Sequence, residues 1–140
     1  MTHRGTVILL HWLLAFLVLA MIKGGSAAEW LRWLFVGASV VWLGLTFAKG
    51  MLAKPGPKLP PLARQTFPWM HRAMYLLIAA AAILNALALF GIVPLVAAWN
   101  ALLVLFVASI FHAIFHLWRH TTLIDGALRM MTPKIWHKYL

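Results

Sequence analysis

The chain has no cysteine and only two acidic residues among its 140 positions. The first absence excludes a disulfide framework, a thiolate metal site and a covalently attached c-type heme, so any metal must be held by histidine. Charge is scarce as well: 10% of residues are charged, against about 25% in typical soluble chains. That deficit excludes a soluble enzyme, a disordered tail and a nucleic-acid reader. What is present instead is apolar, 64% of the chain, a balance that calls for lipid around it. The formal net charge of +10 does not contradict this. The basic residues lie between long apolar runs, where they act as topology signals.

Charges and helix breakers cut the chain into four stretches, each comparable with the ~20 residues that cross a bilayer as helix. They are Gly5 to Ile22, Trp30 to Ala48, Met70 to Phe90 and Val93 to Trp118, the last two separated by Gly91 and Pro94. The expected architecture is therefore all-α, an integral membrane four-helix bundle forming a single domain over residues 1–140. A cleavable signal peptide competes for the first run, because Arg4 precedes it and Gly24 to Ala28 are small. The run is long for that purpose, and it carries His11.

Orientation follows from the cations. With the N-terminus inside, Arg4, Lys49, Lys54, Lys58, Arg64, Arg72, Arg119, Arg129, Lys134 and Lys138 are inside, and of the twelve Lys and Arg only Lys23 and Arg32 are outside. This predicts both termini in the cytoplasm. Residues 49–67 contain Pro55, Pro57, Pro60 and Pro61 and should form a stiff basic connector. Residues 119–140 mix Leu, Ile, Met and Trp136 with basic residues, as suits a short amphipathic segment on the anionic inner leaflet. Trp30, Trp69, Trp118 and Trp99 fall near span ends and are expected to act as interfacial anchors.

Seven histidines in a chain with two acids are the most informative feature, because ionisable groups in lipid are costly and mark function. His3 and His137 lie in the tails, and His71 and His120 adjoin Arg72 and Arg119 at the expected boundary. His11 and His112 are deeper. The first lies seven residues inside Arg4 and the second seven inside Arg119, which places both about 10 Å below the same face. Ala15, Ala108 and Ser109 are within one turn of them, leaving room for a flat ligand. An axial pair of imidazoles from the first and last spans, holding one heme iron, satisfies this pattern. The propionates of such a group would find His71, Arg72, Arg119 or His120 near the rim. Two other readings stay open. A buried histidine can simply hydrogen-bond across helices, and His112, His116 and His120 repeat every four residues, as a helical metal site or proton relay would require. His116 is expected at the heme edge, or as the substitute ligand.

The sequence resembles the bacterial cytochrome b561 family, the four-helix membrane cytochromes related to the b-type subunits of formate dehydrogenase and hydrogenase. The resemblance spans nearly the whole chain. It rests on Arg4 followed by Leu10-His11-Trp12-Leu13, on Trp69-Met70-His71-Arg72 with Tyr75-Leu76-Leu77, and on Phe111-His112, Arg119-His120 and Leu128-Arg129-Met130-Met131. It implies heme b, electron transfer and a quinone such as ubiquinone as the lipid-soluble partner, in the bacterial cell inner membrane. Family members usually hold two hemes. Here the outer ligand positions carry Trp33 on span two and Ala98, Trp99 and Asn100 on span four, which implies a single inner heme held by His11 and His112.

Together these readings predict a membrane-bound b-type cytochrome exchanging single electrons with quinone or a redox partner. The rival from another class is an accessory subunit of a larger membrane respiratory or photosynthetic complex, or a homodimer, that keeps the fold for packing. A transporter is disfavoured by the lack of an inverted repeat and of an intramembrane carboxylate.

Overall fold

A computed structural model describes residues 2–52 and 54–139. Helix α1 is His3–Ile22, α2 is Glu29–Lys49, α3 is Pro61–Leu89, α4 is Leu95–Thr121, and a short α5 is Ala127–Met131. The four long helices are long and apolar enough to cross a membrane. At 1.5 Å per residue the 20 residues of α1 extend about 30 Å, the thickness of a bilayer's hydrocarbon core. Consecutive helices pack against each other, and α1 also meets α4, so the four close into a bundle.

Burial is distributed as lipid requires. Large apolar side chains face outward, among them Phe16, Phe47, Leu76, Ile92 and Phe111. Arg32, Ser39, His71, Asn85 and Arg119 are buried with the apolar core of Leu14, Leu17, Met21, Phe35, Trp42, Leu102 and Leu105. The small residues Ala38, Ala81, Ala82 and Ala98 are also buried, and such side chains let helix backbones approach in lipid.

The segment 49–67, expected as a connector, is shorter than that. Helix α3 begins at Pro61, because proline at the first helical position gives up an N–H that has no intrahelical partner there anyway. Pro68 lies inside the same helix and leaves the Arg64 carbonyl without its usual donor. The α3–α4 corner is a Schellman turn. Ile92 N–H donates to Leu87 O at 2.9 Å and Gly91 N–H to Ala88 O at 3.2 Å, with Gly91 at φ 71°, a conformation glycine adopts without steric cost.

The segment after α4 folds back over the end of the bundle that carries both termini. Arg119 Nη2 and Asp125 Oδ2 form a buried ion pair at 2.7 Å. Asp125 Oδ1 accepts from Ala127 N–H at 2.9 Å. Trp12 Nε1 donates to Met131 O at 2.8 Å, Arg4 Nη2 to Arg129 O at 2.8 Å, and Lys58 Nζ to Ile124 O at 3.1 Å. Gly56 lies so close that a Cβ there would stand 2.6 Å from Asp125 Oδ2 and 2.8 Å from Arg119 Nη2. The tail is thus tied to α1 and to the α2–α3 connector.

Candidate metal centre

Three imidazoles meet in the half of the bundle nearest the termini. His71 comes from α3, and His112 and His116 lie one turn apart on α4. Their ring centroids are 5.2 Å apart for His71–His112, 5.4 Å for His71–His116 and 4.5 Å for His112–His116. One ligand nitrogen from each lies within 4.8 Å of the others. Tetrahedral coordination at 2.0–2.1 Å from a metal would need about 3.4 Å between nitrogens.

Hydrogen bonding defines one ring further. His71 Nδ1 is 3.0 Å from Phe67 O; a carbonyl can only accept, so Nδ1 carries the proton and Nε2 is left with its lone pair. Phe67 also lies against the His71 ring, with centroids 4.2 Å apart. The Arg119 guanidinium sits 5.1 Å from the Phe67 ring centroid, which connects the buried Arg119–Asp125 pair to the cluster through one aromatic side chain. His112 Nδ1 is buried with no hydrogen-bond partner. An unpaired buried ring nitrogen is costly, and a bound group would satisfy it.

His11 approaches from α1. Its ring neighbours are Trp12 at 5.9 Å and Trp42 at 5.6 Å, and Trp42 in turn lies 6.4 Å from the ring of Tyr75 on α3. His71, His112 and His116 therefore form one neighbourhood built by α3 and α4, and His11 stands on α1 beside Trp42. His112 carries an unsatisfied nitrogen, and Ser109 Oγ is already engaged by Leu105 O at 2.7 Å, so the neighbourhood offers imidazole nitrogen to a bound group. It also fits a bare ion at His71, His112 and His116.

The remaining expected residues lie around this neighbourhood rather than within it. Arg72 is exposed and covers Trp69, its guanidinium carbon 4.9 Å from the ring centroid. Arg119 has Asp125 as its counter-ion. His120 is half-buried with Nδ1 unpaired, but the three-nitrogen group is completed by His71 instead. His71 is 7% exposed, deeper than its place beside Arg72 suggests, because α3 begins ten residues before it.

Two participants carry signals that sequence reasoning passed over. Trp42 is seven residues inside Lys49, the same offset that singles out His11 and His112, and it is buried beside His11 with Nε1 unpaired. Asp125 is one of only two acids, and a chain so poor in carboxylates uses this one to neutralise a buried arginine. Comparison with protein-family models, with curated proteins and with solved structures finds no match to this chain.

Proposed function

We propose that the chain is a small membrane-bound b-type cytochrome that passes single electrons to or from a quinone or a redox partner. The observation that carries this reading is the gathering of His71, His112 and His116 from α3 and α4 inside an apolar bundle, with His11 of α1 beside Trp42, where ionisable side chains are kept for function. The resemblance to the cytochrome b561 family supplies the identity of the group, heme b, and its expected ligands, His11 and His112. Bound there, it would supply one-electron redox chemistry. The chain's own residues do the rest. Trp42, Tyr75 and Phe67 line the neighbourhood with aromatic rings, the folded-back tail covers the end of the bundle, and the Arg119–Asp125 pair adds no net charge beside it. The distribution of Lys and Arg supports an orientation with both termini cytoplasmic, in the bacterial inner membrane.

One observation favours a second reading, a mononuclear metal site at His71, His112 and His116. Imidazole suits zinc, copper, iron and nickel. With neutral rings and no carboxylate, a divalent ion would bring uncompensated charge into low dielectric. This favours a monovalent ion, or a divalent one that carries a bound hydroxide.

A single set of variants separates the two. Protein purified in mild detergent is assayed for reduced-minus-oxidised heme bands and for metal content. The cytochrome reading expects bands abolished by His11→Ala and by His112→Ala but kept in His71→Ala. The mononuclear reading expects metal lost in His71→Ala, His112→Ala and His116→Ala and kept in His11→Ala. A colourless, metal-free and stable preparation eliminates both and leaves a packing subunit.

A further inference from the structure

The end of the bundle that carries the termini holds a cleft of about 330 Å³ lined by Arg4, Leu52, Arg129, Met130 and His137. Its walls come from the start of α1, the α2–α3 connector, α5 and the segment after it, so only the folded chain assembles it. Among the described residues, two guanidiniums and an imidazole line the cleft and no carboxylate does. The chain has two acids; Asp125 is paired with Arg119, and Glu29 opens α2 at the opposite end.

One of the two guanidiniums is fixed in place. Arg4 Nη2 donates to Arg129 O at 2.8 Å, which holds one guanidinium against α5. His137 Nε2 stands 3.2 Å from Thr132 O; since the carbonyl accepts, Nε2 carries the proton and Nδ1 is free. Like charges gathered in this way repel, and an anion between them removes that cost. Guanidinium forks match the oxygens of a phosphate group. Leu52 and Met130 give the same cleft an apolar wall. Phe47, five residues before Leu52, and Ile135 and Tyr139, two residues either side of His137, are exposed, side chains suited to the boundary between headgroups and acyl chains.

We propose that this cleft binds the phosphate group of an anionic phospholipid, held by Arg4 and Arg129 with His137 beside them. The site stands whether the histidine neighbourhood holds heme, a bare ion or nothing.

Native mass spectrometry of the full chain, released from detergent with phosphatidylglycerol or phosphatidylcholine, tests it. Wild type is expected to retain phosphatidylglycerol preferentially. The Arg4→Gln/Arg129→Gln variant should bind it about tenfold less, as expected for losing charge-assisted contacts. Lys134→Gln/Lys138→Gln removes the same charge outside the cleft and should bind as wild type. Met130→Glu, which puts a carboxylate into the cleft without removing an arginine, should also lose the lipid and serves if the double arginine variant fails to fold. Displacement of phosphatidylglycerol by millimolar inorganic phosphate would assign the cleft to a soluble source and overturn the lipid assignment; no displacement assigns it to lipid. Equal retention of the two lipids by wild type, or equal loss in the two double variants, overturns the proposal.

Discussion

Arg119 and Arg32 are both buried, yet they are satisfied in different ways. Arg119 has a carboxylate, with Nε donating to Asp125 Oδ2 at 2.8 Å. Among the described residues Arg32 has Asn85 alone, whose Oδ1 is 3.4 Å from Nε and whose main-chain O is 3.1 Å from Nη2. Asn85 lies in the last turns of α3, where carbonyls carry partial negative charge, so a guanidinium is favourable there without an acid. Removing the carboxylate from the first pair leaves a buried cation alone, at a cost of about 3–5 kcal/mol. Asp125→Ala is therefore expected to lower the unfolding midpoint in mild detergent sharply, and an unchanged midpoint would show that the tail does not hold Arg119. Trp42 predicts the opposite sign. Its Nε1 is buried without a partner, and an unsatisfied donor costs about 1–3 kcal/mol, so Trp42→Phe should leave the ligand-free protein as stable or more so. A marked loss in the same melt would reveal a partner for that N–H. Neither pairing was legible beforehand, because Asp125 is six residues from Arg119 and Asn85 fifty-three from Arg32, and only the fold decides which partner an arginine meets.

Helix ends were easier to read than helix beginnings. Gly91 and Pro94 mark the α3–α4 corner in the sequence, and the chain turns there through a left-handed glycine. Gly91→Ala would force a Cβ into that conformation, at about 1–2 kcal/mol; the expected result is a lower unfolding midpoint with the helical content retained at 25 °C, measured by circular dichroism. The start of α3 was less legible. Four prolines between residues 55 and 61 suggest a connector reaching Phe67, but the last of them is where the helix begins. Proline both breaks helices and starts them, and local sequence does not say which. The seven to nine residues gained at the start of α3 place His71 within the helix, where it meets α4 rather than remaining at the rim.

The molecule as a whole is arranged for lipid, with apolar side chains outward and its buried arginines, asparagine and serine inward. Its lack of cysteine makes the proposed orientation directly measurable. Single cysteines at Lys54, in the exposed α2–α3 connector, and at Ile92, 67% exposed at the opposite corner, should react with a membrane-impermeant maleimide from opposite sides. Lys54→Cys should label only after the membrane is opened and Ile92→Cys in intact cells. The reverse pattern would invert the topology and place the histidine neighbourhood at the outer leaflet.

Four apolar helices long enough for a bilayer, and the uneven placement of cations between them, follow from the sequence alone, because transfer to lipid is summed residue by residue along a stretch of fixed length. Counting from Arg4 and Arg119 likewise sets an expected common level for His11 and His112. Which rings touch was decided only by tertiary structure. The contact of His71 with His112 and His116, the place of His11 beside Trp42, and the tail laid across the bundle end depend on how each helix is rotated about its axis and which neighbour it packs against. Those quantities are set by contacts between segments far apart in the chain, and no window of sequence contains them.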